Sequence, residues 1–278
     1  MRFNIIGAGR LGKNLALSLM SLRDNQLVAV CNHGFDSAVK AVIEIGSGTA
    51  ITTLADLPVV DLTFITTPDD SIATVVTKWA NPSGIVVHCS GALGSDVLTP
   101  LKEKGCLVAS IHPLRAFRNN QLQADAFQSC DCVVEGDEEA VRLLTTLFTN
   151  RGARVTPITA SKKSTYHAAA VMASNYVVTL AGCAMELFIE AGLPALQAKG
   201  MTERMMQSSL TNIQNTDHTT DALTGPLARG DVNTISQHLH AIKTPHIAAL
   251  YKAAGLATLP LTHLDSGTLS ALRTLLNE

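Results

Sequence analysis

The sequence predicts an α/β domain followed by an all-helical one, and three observations carry this. A short apolar run at residues 1–6 leads straight into Gly7-Ala8-Gly9-Arg10-Leu11-Gly12, after which residues 11–22 repeat apolar side chains at helical spacing. Strand-like and helix-like stretches then alternate to about residue 160. Beyond that point the alternation stops and only helical patterns follow. The domains are therefore expected at 1–160 and 161–278.

The first element sets the chemistry. Strand, glycine turn and helix in that order, with G-x-G-x-x-G across the turn, form the start of a Rossmann dinucleotide-binding unit. Gly7 makes the tight turn, Gly9 lets backbone approach a pyrophosphate, and Gly12 lets helix pack on strand. Gly7, Ala8, Gly9, Arg10, Leu11 and Gly12 are thus candidate cofactor contacts, with the free N–H groups of the helix start facing the phosphates.

Residues 26–31 read as the second strand, ending Cys31-Asn32-His33-Gly34. An acidic residue at this strand end would hold the ribose 2′-hydroxyl of NAD, but no carboxylate occurs before Asp36. Asn32 and His33 can donate hydrogen bonds, and Arg10 can face a phosphate. The pattern leans to NADP, with NAD as the alternative. A helix over 35–45 and a brief strand near 50–52 follow. Residues 61–66 form a fourth strand running into Thr66-Thr67-Pro68 and a helix over 71–79. Open sheets bind ligands at the carboxyl ends of their strands, so Thr66, Thr67 and Pro68 should lie over the cofactor.

Two more strands end on reactive side chains. The strand at 84–88 leads to Ser90, and the strand at 106–111 leads to a loop with His112, Pro113 and Arg115. Strands at 130–135 and 154–158, with a helix at 137–150 between them, close the first domain.

The second half opens with a long alanine-rich helical pattern over 161–192. Lys162, Lys163, Tyr166, His167, Ser174 and Asn175 make it too polar for a membrane span. Its remaining faces are too apolar for a solvated helix, which implies burial between layers or subunits. Lys163 and His167 are four residues apart and share one helix face. Methionines 201, 205 and 206 in the next helix read as core or dimer filler. Residues 222–231 combine two glycines, a proline, Arg229 and Asp231 beside a helix start that Asp231 or Asn233 can cap. Further helices are expected from Thr244-Pro245 and from Asp265 or Ser266.

Composition bounds the rest. Hydrophobic residues make up 46% of the chain and charged residues 16%, enough for two cores. A formal net charge of −2 argues against a nucleic-acid binder, which needs a basic face. Nothing reads as a secretory signal, and no apolar stretch reaches about 18 residues without a polar break. A cytoplasmic protein with no membrane contact is expected. The six cysteines are scattered without metal spacing, so reduced thiols and no metal site are expected.

Taken together, the G-x-G-x-x-G turn, Ser90, His112-Pro113, Tyr166-His167-Ala168-Ala169-Ala170 through Asn175, and the closing Gly-Pro-x-x-Arg-Gly-Asp resemble a family. It is the uncharacterised proteins with a Rossmann-like domain and a DUF2520 C-terminal domain. That family is similar in layout to the 6-phosphogluconate, 3-hydroxyisobutyrate, prephenate and pyrroline-5-carboxylate dehydrogenases or reductases. The resemblance implies an NAD(P) enzyme whose helical domain forms a homodimer and completes the active site. It implies that His112 contacts a reacting hydroxyl and that Ser90 lies beside the cofactor. It also brings Lys163 and Asn175 forward as catalytic residues. The hydroxyacid dehydrogenases hold their Lys and Asn four residues apart, whereas here the gap is twelve.

The expected activity is hydride transfer between a nicotinamide cofactor and a small anionic hydroxy- or imino-acid-like metabolite. His112 from the first domain or His167 from the second has the ordinary pKa for moving the proton. Ser90 can bond the same oxygen, Asn175 can orient the substrate, and Arg229, Arg115 and Asp231 are candidate substrate contacts. The alternative is a non-catalytic NADP sensor on the same fold.

Overall fold

The structure is a computed structural model that describes residues 1–117 and 121–278. It contains two compact units, Met1–Val171 and Met172–Glu278.

The first unit opens with β1 (Arg2–Ile6), α1 (Arg10–Met20), β2 (Gln26–Cys31), α2 (Phe35–Ile45) and β3 (Thr49–Ile51). The chain continues through β4 (Leu62–Ile65), α3 (Asp69–Lys78), β5 (Ile85–His88), α4 (Thr99–Lys102) and β6 (Leu107–Pro113). It closes with β7 (Asp131–Gly136), α5 (Glu138–Thr149), β8 (Arg154–Pro157) and α6 (Lys163–Ala173), whose last two residues fall in the second unit.

The strands form one sheet in the order β3-β2-β1-β4-β5-β6-β7-β8. Chain direction across the sheet reverses between β1 and β4, which makes their carboxyl ends the switch point where this class of sheet binds ligands. Both faces are covered, as parallel strands require. Phe3 and Ile5 pack with Leu15 and Leu19 of α1 and with Leu144 and Phe148 of α5. Ile6 and Ile65 pack with Ile72 and Val76 of α3 and with Leu101 of α4.

One pairing departs from the parallel pattern, because β6 and β7 run antiparallel, with His112 opposite Val133 and Pro113 opposite Cys132. No crossover helix occurs among the described residues between them, and a parallel return needs one. This corrects the sequence expectation that His112 and Pro113 lie in a loop. They are the last residues of a paired strand.

The second unit begins with α7 (Asn175–Glu190) and α8 (Ala195–Gln214). It ends with α9 (Pro226–Arg229), α10 (Val232–Ala241), α11 (Pro245–Thr258) and α12 (Ser266–Asn277). The single helix expected over 161–192 is broken at Ser174, which leaves helical geometry at φ −126° and ψ −71°. A serine followed by an asparagine is a weak point in a helix, since both side chains compete for backbone hydrogen bonds. Asp265 caps α12 through the N–H groups of Gly267 and Thr268. Asp231 sits at the start of α10 but makes no cap bond, because Arg229 holds its carboxylate.

The run Ala160–Glu190 has a mean hydropathy of 1.5 over its best window and is long and apolar enough to cross a membrane. This corrects the expectation that the run over 161–192 is too polar for a membrane span, on length and composition alone. Lys162, Lys163, Tyr166 and His167 lie toward its N-terminal end, and Ser174 and Asn175 at its middle are uncharged. Lys163 on that run is 1% exposed and hydrogen-bonded within the first unit.

Candidate functional site

The glycine turn is built as its sequence demands. Gly7 has φ +87°, and a Cβ there would lie 2.7 Å from the backbone nitrogen of Thr67. Only glycine fits both the angle and the space. Thr66 braces the turn by donating its hydroxyl to the Gly7 carbonyl at 2.8 Å. Gly12 packs against the same threonine, and Leu11 packs on the core.

The amides divide into used and free. Ala8 N–H donates to Asn32 Oδ1 at 2.7 Å and Gly9 N–H to the Gly7 carbonyl at 2.7 Å. The start of α1 has no side-chain cap and no acidic residue in its first turn. Its leading N–H groups therefore present an unneutralised positive end, which is an anion site. Asn32 turns out to be a brace of the glycine turn through its oxygen, with its NH₂ still able to donate.

These elements line a cavity of about 1010 Å³ over the carboxyl ends of β1 and β4. Gly7, Ala8, Gly9, Asn32, His33, Thr66, Thr67 and Pro68 all border it. The Thr67 hydroxyl is buried with no partner among the described residues. Ser37, Lys13, Lys40 and Lys78 also face the cavity and were not singled out from sequence. Its one carboxylate among the described lining residues, Glu44, is paired with Lys13 at 2.5 Å. Arg10 is not on this wall. Its guanidinium donates to the Phe117 carbonyl at 3.2 Å.

A second group of side chains gathers at the ends of β5 and β6. Ser90 is buried, and its hydroxyl is fully engaged. It donates to Asp69 Oδ2 at 2.7 Å and accepts from the N–H groups of Ala92 and Leu93 at 3.1 and 3.0 Å. Ser90 thus shapes the turn after β5 and ties it to α3, and it has no free valence for a substrate oxygen. His88, fully buried, accepts from Ser90 N–H at Nδ1 and donates from Nε2 to the Gly94 carbonyl at 3.0 Å. Burial holds it down to about 4, with the nearby Lys163 charge adding to the effect.

Lys163 is 1% exposed. Its ammonium donates to the Ser90 carbonyl at 2.6 Å and to the Ser110 hydroxyl. Burial lowers its pKa. It is a buried strut between β5, β6 and α6, its ammonium turned to two oxygens of the fold rather than to solvent, where the sequence reading made it a catalytic candidate.

His112 and His167 come together, both inside the first compact unit. Their rings meet edge-on with centroids 5.7 Å apart. Gly91 lies between them, and a Cβ there would collide with His167 Nδ1 and sit 2.9 Å from His112 Nε2. His167 Nδ1 is buried without a partner among the described residues. His112 Nδ1 lies 3.0 Å from the Tyr166 hydroxyl. Tyr166 had only its place beside His167 in the sequence to mark it. Burial first, then the Lys163 charge, hold His112 down to about 4, so its imidazole is neutral at pH 7.

Three of the remaining candidates are committed to other partners. Arg115 donates to the Ala126 carbonyl and to Gln123 Oε1. Arg229 forms an ion pair with Asp231 at 2.8 Å. Asn175 is an exposed residue at the start of α7 in the second unit. No group of three or more metal-ligating side chains occurs among the described residues.

The fold and this glycine turn define the class: residues 1–113 are a Rossmann-like domain. Residues 130–258 match DUF2520, a domain of unknown function, so the chain is a Rossmann-like protein carrying a DUF2520 domain. Among curated proteins none matches it. Solved structures are similar in fold. A protein of Bacteroides fragilis, assigned provisionally as an NADP oxidoreductase, is 21% identical with a TM-score of 0.76, over 93% of this chain and 98% of its own. Protein TM1727 of Thermotoga maritima is 24% identical with a TM-score of 0.70, over 93% of this chain and 97% of its own. The pyrroline carboxylate reductase of Plasmodium falciparum, solved with NADP bound, is 12% identical with a TM-score of 0.60, over 94% of this chain and 98% of its own.

Proposed function

We propose that this protein is an NADP-dependent oxidoreductase acting on a small anionic hydroxy or imino acid. The observation that carries the reading is one arrangement within the first unit. A cavity with an uncapped helix N-terminus lies over β1 and β4, and a pair of histidines closes the ends of the neighbouring strands. The residues present fit a dinucleotide. Gly7 and Gly12 leave no room for side chains, the leading amides of α1 face an anion, and the buried Thr67 hydroxyl is still unclaimed.

NADP, when bound, supplies the nicotinamide carbon that gives or takes hydride. The chain holds and orients it. Asn32, His33, Ser37 and Lys40 border the cavity beyond the end of β2, where an NAD enzyme keeps a carboxylate. Lys13 neutralises Glu44 there. This balance of charge favours a 2′-phosphate over a bare ribose. Neutral His112 is suited to accept a proton from a substrate hydroxyl or amine, and His167 beside it is the second candidate. The similarity in fold to a pyrroline carboxylate reductase with NADP bound supports both the cofactor and the substrate class.

We also read the chain as a homodimer joined through the helical unit, whose α7 has no buried residue in the single chain.

Isothermal titration with NADPH and NADH tests the cofactor. NADPH is expected to bind at least tenfold more tightly, a difference of about 1.4 kcal/mol. Equal affinity, or a preference for NADH, would overturn the assignment. A screen of hydroxy acids, imino acids and keto acids, followed at the cofactor absorbance, then tests turnover. Binding without consumption of NADPH by any of them would favour a sensor.

A further inference from the structure

His112 is held at one ring nitrogen only. Its Nδ1 meets the Tyr166 hydroxyl at 3.0 Å, and the two rings pack edge-on with centroids 5.7 Å apart. Among the described residues nothing bonds His112 Nε2, which faces Gly91. His167 is placed differently. Its Nδ1 is buried at the same glycine with no orienting partner. A proton-transferring histidine works when a third group fixes its ring and its tautomer. His112 has such a group and His167 does not.

A tyrosine hydroxyl both donates and accepts, so the partner's own state decides what it can do for the imidazole. Burial pushes the Tyr166 phenol up to about 12, so it keeps its proton and its oxygen remains a neutral acceptor. The groups acting electrostatically on His112 are Lys163 and His167 of α6 and Asp69 of α3. The buried ammonium of Lys163 disfavours a second positive charge on the ring. A neutral ring whose Nδ1–H points at the tyrosine oxygen leaves the Nε2 lone pair free.

We propose that Tyr166 is the positioning residue of this site: its oxygen accepts the Nδ1–H of His112 and so makes Nε2 the atom that exchanges a proton with the substrate. The proposal rests on the oxidoreductase reading for its purpose, though not for its geometry. In the oxidative direction the substrate O–H or N–H bond breaks and its proton passes to Nε2. The electron pair left behind forms the new double bond to carbon as hydride leaves that carbon for oxidised NADP. His112 becomes an imidazolium with its Nδ1–H held by Tyr166, and in reduction the same proton returns from Nε2.

The tautomer can be read without any substrate. Two-dimensional ¹H–¹⁵N spectra of the imidazoles in the full chain distinguish protonated from bare ring nitrogens, and H112N identifies the His112 signals by their loss. The wild-type protein at pH 7 is expected to show His112 with a protonated Nδ1 and a bare Nε2. The free side chain in water prefers the opposite. Tyr166→Phe removes one oxygen and keeps the ring, and it should return His112 to the Nε2–H form. Once a substrate is identified, Y166F should lower kcat by about tenfold to a hundredfold, with KM and NADPH affinity unchanged, a smaller loss than removal of the imidazole itself. A wild-type spectrum showing protonated Nε2 would overturn the proposal, as would a Y166F spectrum in which the tautomer is unchanged. The wild-type spectrum decides even if the variant does not fold. Failure to find turnover with the expected tautomer present would count against the oxidoreductase reading and leave the Tyr166–His112 assignment standing.

Discussion

His112 and His167 share one glycine, and that shared contact makes their variants informative. Gly91 has no Cβ because two ring nitrogens occupy its place. H112N and H167N each remove a ring and leave the glycine turn of the cofactor cavity untouched. Loss of a true acid–base group should cut turnover by roughly 10²-fold or more with NADPH binding nearly intact. A structural histidine would instead lower the melting temperature with little specific kinetic loss. At least one of the two variants is expected to show the catalytic pattern. Near-normal turnover in both would sink the site assignment. Spacing alone could place Lys163 and His167 on one helix face. It could not show that the lysine turns inward to two oxygens on strands while the histidine stops beside Gly91.

The turn between β5 and α4 is held by buried polar groups. His88 holds it from below through the Ser90 N–H and the Gly94 carbonyl, and Ser90 holds it from within. His88 is neutral in the folded chain and down to about 4 because of burial. Above pH 6.5, the ordinary histidine value, folded and unfolded chains both carry it uncharged, and its contribution to stability is fully present. As pH falls from 6.5 toward 4, the unfolded chain binds a proton that the folded chain refuses, so stability is progressively lost. The loss is of order 3 kcal/mol for this group. Urea denaturation at pH 7 and pH 4.5 should show the wild type losing stability on acidification. His88→Gln should be less stable at pH 7 yet lose less between the two pH values. A variant with the same pH slope as the wild type would rule out His88 as the cause.

At the scale of the whole molecule the helical unit carries an uncovered apolar face. Met172 is 65%, Val178 72% and Met205 64% exposed, on or beside helices whose composition belongs in a core. Large apolar side chains left exposed in this number point to an interaction site, and a second copy of the same unit is the expected cover. Sedimentation at micromolar concentration should give about twice the chain mass of 29.4 kDa. Val178→Glu should shift the distribution toward single chains while leaving the helix content unchanged. A clean monomer for the wild type would count against this interface.

Local signals determined a great deal on their own. The glycine turn, the strand end before Ser90 and the switch to all-helical patterning all depend on short-range backbone geometry and periodicity, and they are legible in sequence. So is the missing carboxylate after β2, because the residue at a strand end is fixed by its place in the chain. What each side chain is free to do was decided by tertiary structure. Ser90 and Asn32 spend their oxygens on backbone N–H groups that only the folded turns bring near. Arg10, Arg115 and Arg229 are claimed by partners from 2 to 107 residues away. His112 entered a strand because a distant segment returned antiparallel to it. Tyr166 gained its role from a bond across 54 residues. A hydrogen bond needs a donor and an acceptor within about 3 Å, and separation along the chain says nothing about that distance until the sheet has closed.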